Sequence, residues 1–363
     1  MSLESDRAVA CPGKPDDFGA SCQSQLAGSL KKPFYLGSLQ LPSNVFCAPL
    51  AGCSDLPYRQ MAERFGRPGL HYCEMVKIDA LVRHDPNTYR LLDYTPAMHP
   101  IGAQICGSKP KMAAEAAQIV EDLGFDVLDL NCGCPVDKVT KDGSGSGLLK
   151  QPELIGEILS EVVARVKIPV TLKIRTGWDE ASIVAPEITR LAESAGAKAI
   201  TIHGRTREQG YHGPANWEWI RACKIAAKNI LVIGNGDLFD PASALRMFAS
   251  TQCDGFLIAR GGMGQPWLAH DMISLLSGDA PPVRTVADVR SALLAHLDAI
   301  LSYQNERQAL LDFRRVGCWY LKRCENVRPL RMELNKAAST REALSLIRGF
   351  TWEKAAFSVG EGE

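Results

Sequence analysis

Residues 44–55 read NVFCAPLAGCSD. The run begins as a short buried strand, with Val45, Phe46 and Cys47 in succession, and breaks at Pro49 and Gly52 into a polar turn. A doubly wound dinucleotide-binding sheet carries G-x-G-x-x-G at this place, because its first βα turn lays glycine backbone against a pyrophosphate. One glycine stands here instead. The first strand therefore argues against that fold, and the later strands must say which fold replaces it.

Seven more runs of the same kind follow: HYCEMV from His71, PIGAQICG from Pro100, VLDLNCGCP from Val127, VTLKIRTG from Val170, AITIHGRT from Ala199, LVIGNGD from Leu231 and GFLIARGG from Gly255. Each is short and apolar, and each ends in polar or glycine-rich residues. The segments between them, among them 111–124, 152–166 and 183–196, repeat apolar residues three and four apart, as amphipathic helices do. Eight such strand–helix units within residues 44–261 close into a parallel (β/α)8 barrel, the TIM-barrel form of the α/β class. After SGDAPPVRT, residues 277–285, the pattern turns purely helical and strandless, which predicts a small all-α bundle with a turn at Arg328-Pro329. The expected organisation is an N-terminal tail at 1–32, a barrel domain at 33–276, a linker at 277–285, a helical domain at 286–357 and a C-terminal tail at 358–363.

Composition narrows the function classes. Of 363 residues 46% are apolar and 23% charged, which suits a globular chain, and Lys+Arg equals Asp+Glu at 41 each, so no overall field draws a polyanion. A nucleic-acid surface would have to be local. The twelve cysteines are irregularly spaced and many sit in strand-like runs, which speaks against a secreted disulfide scaffold and for a reducing cytoplasm. The first 32 residues lack the apolar centre of a signal peptide, and no apolar run reaches the ~18–20 residues a bilayer span needs. A cytoplasmic monomer without membrane association is the expectation.

In a barrel the strand ends converge on one mouth. Strand alternation sends Lys173 inward while Leu172 and Ile174 face the helices, and it brings Glu74, Gln104, Asn131, His203 and Arg205 to the same rim. A desolvated lysine needs an anion. A reduced flavin offers one over N1 and the C2 carbonyl, and an ion pair with Asp129 or Glu74 is the structural alternative. Gln104 can donate and accept along the amide edge of the same ring. The last two βα loops carry GNGD, with Asn235, Gly236 and Asp237, and ARGG, with Ala259, Arg260 and Gly261; two glycine-rich turns in that position suit a phosphate.

LNCGCPVDKV, residues 130–139, places Cys132 and Cys134 one residue apart. A disulfide between them would close a strained ring that a cytoplasm reduces. Zinc would want about four nitrogen or sulfur ligands, and no paired C-x2-C or H-x3-H lies near, so no metal is expected. A nucleophile wants a depressed pKa, and Asp129 and Asp137 push the other way. An ordinary thiol, with a pKa of about 8.5, stays protonated at neutral pH and can serve as a general acid. Residues 132 and 134 share a face if the strand runs on. Cys134, beside Pro135 and a Gly/Ser/Lys-rich loop that reads as a mobile lid, is the better placed.

Taken together, APLAGCSD, LNCGCPVDKV, LKIRTGW, IHGRT, GNGD and IARGG resemble the tRNA-dihydrouridine synthases, and LKIRTGW is most similar to their bacterial B-type branch. The resemblance runs from about residue 33 through the helical C-terminus. It implies an FMN-binding barrel reduced by NADPH, hydride transfer from flavin N5 to uracil C6 in tRNA, and a cysteine that protonates C5 from the other face. The family's cysteine then falls on Cys134, and its flavin contacts on Lys173, Gln104 and His203, with Ala48, Pro49, Leu50 and Asn131 also on the flavin side. Leu50, Ser54, Gly147 and Ala259 depart from the usual family residues. Arg205 and Lys138 are expected on the substrate side. From Arg307 to Arg348 ten Lys or Arg face four Asp or Glu, and Arg314, Arg315, Lys322 and Arg323 recur at helical spacing as a clamp for tRNA phosphates. The alternatives are a flavin barrel acting on a free pyrimidine, as dihydroorotate dehydrogenases do, and a tRNA-binding protein without catalysis.

Overall fold

The computed structural model describes residues 33–358; the tail expected at 1–32 and residues 359–363 lie outside the described residues. Eight parallel strands, β1 (Val45–Cys47), β2 (Leu70–Lys77), β3 (Ile101–Cys106), β4 (Val127–Cys132), β5 (Val170–Arg175), β6 (Ala199–His203), β7 (Leu231–Asn235) and β8 (Gly255–Ile258), form a closed barrel. Closure comes from β8 pairing with β1, Phe256 opposite Val45 and Ile258 opposite Cys47. Each strand leads to a helix that packs on the barrel, α1 (Leu56–Phe65), α2 (Ile78–Val82), α3 (Pro110–Asp122), α4 (Pro152–Arg165), α5 (Ala185–Ser194), α6 (Glu218–Ala226), α7 (Pro241–Thr251) and α8 (Leu268–Leu276), with extra single turns of helix at Pro86–Arg90 and Asp137–Thr140. Their starts are marked in the sequence. Asp55 and Asp240 cap α1 and α7 by accepting from the N–H groups of Tyr58 and Ser243, and proline opens α3, α4 and α7, where a missing N–H costs nothing.

The two faces of each strand divide the core. Leu128, Leu130, Leu172, Ile174, Ile200 and Ile202 point outward into the layer shared with the helices. Phe46, Tyr72, Val127, Ala199, Ile233 and Leu257 point inward, where a hairpin of Phe34–Leu36 and Leu39–Leu41 stoppers the barrel floor. Leu36 and Leu41 are 1% and 2% exposed, and the Phe34 ring meets Phe46 edge-on at 5.8 Å. At roughly 2 kcal/mol per buried leucine the stopper is a substantial seal. The barrel therefore opens at one end, where the strands finish.

Beyond Thr285, whose side chain forms a capping box with Asp288, come α9 (Val286–Tyr303), α10 (Glu306–Leu321), α11 (Arg328–Lys336) and α12 (Thr340–Gly349) around Leu293, Leu297, Phe313, Val316 and Leu334. Two details differ from expectation. Arg328-Pro329 begins α11 rather than making a turn, since proline suits a first helical turn, and Cys324–Glu325 pairs antiparallel with Ala356–Phe357, so the bundle is not strandless. The bundle leans on the barrel beside β1 and β2: Tyr58 of α1 meets Trp319 edge-on at 6.5 Å, and Arg90 lies 4.7 Å over the Tyr303 ring while Tyr303 donates to Asp93 at 2.8 Å. Among the described residues no helix is long and apolar enough to cross a membrane.

Candidate active site

A cavity of about 380 Å³ fills the open end. Its lining includes Ala48, Pro49 and Leu50 after β1, Gln104 of β3, Asn131 of β4 and Cys134 beyond it, Lys173 of β5, and His203 of β6. Asn235, Gly236 and Asp237 after β7 and Ala259, Arg260 and Gly261 after β8 complete the ring. Arg175, Tyr211, Cys53 and Met75 line it too. The alternation that marks Lys173 marks Arg175 two residues on, so that residue was within reach of the sequence; Tyr211, on a long loop, was not.

Glu74 is absent from this lining. Between Tyr72 and Met75 the β2–β3 register shifts by one residue, a bulge that exchanges the faces of the strand. Met75 thus reaches the cavity, and Glu74 turns aside to accept the Gly52 N–H in a separate cleft under the bundle.

The two thiols part company. Strand β4 ends at Cys132, which points outward, is fully buried, and has its pKa pushed well up by burial. The chain turns at Gly133, so the shared face expected from an unbroken strand does not exist, and Cys134 alone of the pair meets the cavity. Asn131 Oδ1 accepts the N–H groups of Gly133 (3.1 Å) and Cys134 (2.9 Å). Ser146 donates to the Cys134 carbonyl through its N–H (3.0 Å) and its hydroxyl (2.9 Å), and Arg175 Nε donates to the Gly133 carbonyl at 3.1 Å. The second half of the expected lid is thereby a seat. Ser144, Gly145 and Ser146 are buried, and Gly145 has φ +57 with the place of a Cβ only 2.9 Å from the Cys134 carbonyl oxygen. Its glycines serve close packing. The exposed part of the loop is Val136 to Lys138 with Lys141 and Asp142.

Positive charge crowds the opposite wall. Lys173 makes no ion pair among the described residues, with neither Asp129 nor Glu74; burial first, and then Arg175, push its pKa down to about 8, while the charge of Asp129 pulls the other way. His203 is held neutral, its pKa pushed well down by burial and by Lys173, Arg175, Arg205 and Arg260. Its Nε2 accepts from Arg205 at 3.3 Å, which puts the ring proton on Nδ1. Arg260 lies 4.1 Å over the Tyr211 ring at the rim. Beside it the N–H groups of Arg260 and Gly261 open a 3-10 turn without an acceptor among the described residues, and Gly261 sits so close to Leu238 that a Cβ would fall 1.9 Å from that carbonyl oxygen. Unpaired N–H groups and a guanidinium at one spot fit a phosphate.

Several residues expected to touch substrate lie elsewhere. Arg205 is 3% exposed, donates twice to the Gly213 carbonyl and pairs with Asp237 at 2.8 Å, so it braces the β6 and β7 loops behind His203. Arg323 is buried, because the helix ends at Leu321 and the chain turns inward to the ribbon. Arg314 donates to the Ala337 carbonyl at 3.0 Å, and Arg315 is tied to Asp312 at 2.9 Å, facing the barrel cleft. Of that quartet only Lys322 is exposed; Lys138 is exposed at the mouth. Arg307, Arg328, Lys336, Arg341 and Arg348 supply the open cationic surface of the bundle.

With this geometry in hand, the relatives can be compared. A solved structure, histamine dehydrogenase from Rhizobium sp. 4-9, superposes with a TM-score of 0.54 at 13% identity over 76% of this chain and 51% of that one, a likeness of fold alone. The chain is 37% identical over 317 residues to "Probable tRNA-dihydrouridine synthase 1" of Synechocystis sp., covering 87% of this chain and 88% of that protein. It is 36% identical over 320 residues to "tRNA-dihydrouridine synthase B" of Pseudomonas aeruginosa, covering 88% and 96%. The family model for dihydrouridine synthases matches residues 46–356, from the first barrel strand to the closing ribbon of the bundle, and the chain belongs to that family.

Proposed function

We propose that the protein reduces particular uridines of tRNA to 5,6-dihydrouridine with a bound flavin, FMN, replenished by NADPH, in the cytoplasm and as a monomer. The observation that carries this reading is Cys134, a thiol fixed through both sides of its peptide at the rim of a cavity whose far wall holds a lysine without an anion. The residues present fit the flavin. Lys173 would face the N1 and C2 edge, Gln104 the pyrimidine amide edge, and Arg260 with the N–H groups beside it the phosphate. When bound, the flavin supplies the hydride for uracil C6. Cys134 then donates its proton to C5, so that one hydride and one proton saturate the C5–C6 bond, and the thiolate regains a proton from solvent. His203, held neutral, adds no proton of its own and keeps the wall from gathering further charge. The bundle, through Lys322, Arg307 and Arg341, would hold tRNA phosphates beside the mouth.

The test is direct: incubate the flavin-loaded protein with unmodified tRNA and NADPH and measure dihydrouridine by nucleoside mass spectrometry. Absence of the product, or equal reduction of free uridine, sinks this reading.

A further inference from the structure

A hydrogen-bond chain inside the barrel runs in a single direction and ends on one carboxylate. Asn131 Oδ1 faces two N–H groups, Gly133 and Cys134, so its amide cannot be turned around without pointing donors at donors. Its Nδ2 must then donate, and it does, to Gln104 Oε1 at 2.7 Å. Gln104 in turn must present its NH2 to an acceptor, which is Asp129 Oδ2 at 2.6 Å. The other oxygen of Asp129 accepts from the Thr171 hydroxyl at 2.6 Å. Every link is buried. A neutral group at position 129 could meet Gln104 by either end of its amide, whereas an ionised carboxylate accepts on both oxygens and admits one arrangement.

We propose that Asp129 is the positioning residue for Cys134: by accepting the last donor of the chain it anchors Gln104, and through Gln104 the Asn131 side chain whose Oδ1 is the acceptor on which the Gly133–Cys134 turn hangs. Asp129 does not line the cavity, so it acts only through the others. Burial raises its pKa to about 6, which leaves it ionised, and acceptor-only, at neutral pH. Lys173 feels the same charge, which raises its pKa, so the readout that isolates the relay is the turn itself.

The inference rests on Cys134 as the acid, and the test separates the two. Asp129→Leu in the flavin-loaded full chain should speed amide hydrogen exchange at Gly133 and Cys134 by about tenfold or more, because Asn131, the turn's acceptor, loses the support that reaches it through Gln104. In the same variant reoxidation by tRNA should slow by about tenfold or more, and several-fold more than flavin reduction by NADPH, since only reoxidation needs the thiol in place. Thr171→Val, which leaves the Gln104 to Asp129 bond intact, should move none of these by more than about twofold. Wild-type exchange at Gly133 and Cys134 in Asp129→Leu overturns the proposal, as does equal slowing of both half-reactions. Should that variant fail to fold, Asp129→Asn keeps the shape and weakens the direction: exchange at the turn must rise by about twofold or more, and unchanged exchange counts against us. If instead Cys134→Ala proves fully active while Asp129→Leu still loosens the turn, the relay stands and the acid assignment falls.

Discussion

At the barrel mouth four cations, Lys173, Arg175, Arg205 and Arg260, surround one neutral imidazole, while on the bundle Arg307, Lys322, Arg328, Lys336, Arg341 and Arg348 are exposed to solvent. The first group is desolvated and braced. Arg175 and Arg205 spend their donors on the carbonyls of Gly133, Thr206, Gly210 and Gly213, so they shape the wall, and Lys173 and Arg260 are left to face what enters. The second group is hydrated and makes few bonds of its own. A cation of the first kind waits for one particular anion at one particular atom, and removing it should cost much. A cation of the second kind contributes through released counterions, and removing it should cost little and without regard to sequence.

The contrast can be broken at its strongest point first. Cys134→Ala should keep flavin and tRNA binding yet lose turnover by roughly 10²-fold or more, the usual worth of a general acid, as read by single-turnover kinetics. Lys173→Met should weaken FMN binding by about tenfold, measured by fluorescence titration. The wild-type protein adds a pH signature. With its pKa near 8 when no anion is bound, Lys173 takes up a proton as the anionic ring of reduced FMN arrives, so affinity for reduced FMN should fall as pH rises above about 8. That slope should vanish in Lys173→Met. On the bundle, Lys322→Gln and Arg341→Gln should each lower tRNA affinity only a few-fold and each reduce the salt dependence by about one unit of slope. Arg323→Gln, at a buried position, should leave the slope unchanged; a drop there would mean that the bundle reaches RNA by another face.

The sequence was most legible where strands end in chemistry. Period two places Lys173 and His203 at the mouth and Leu172 and Ile174 behind it, and the glycine pairs of GNGD and ARGG fall at the cavity as their position in a barrel requires. The errors share a cause, which is local geometry that composition does not encode. A bulge in β2 swaps Glu74 for Met75, and nothing in HYCEMV marks the extra residue. GSGSG reads as flexible, yet Gly145 is glycine because the Cys134 carbonyl leaves no room for a Cβ. Arg323 matches a helical wheel drawn past Leu321, where the helix has already stopped.

The hairpin under the barrel has a consequence for how the chain is made. Leu36 and Leu41 leave the ribosome before any barrel strand, but their seat is complete only when Leu257 of the last strand arrives and β8 zips to β1. At ordinary translation speeds that interval is roughly 10–40 s. For all that time a nascent chain carries an uncapped greasy plug at one end and an unpaired β1 edge beside it, the kind of surface through which half-made chains aggregate, until synthesis has passed Ile258.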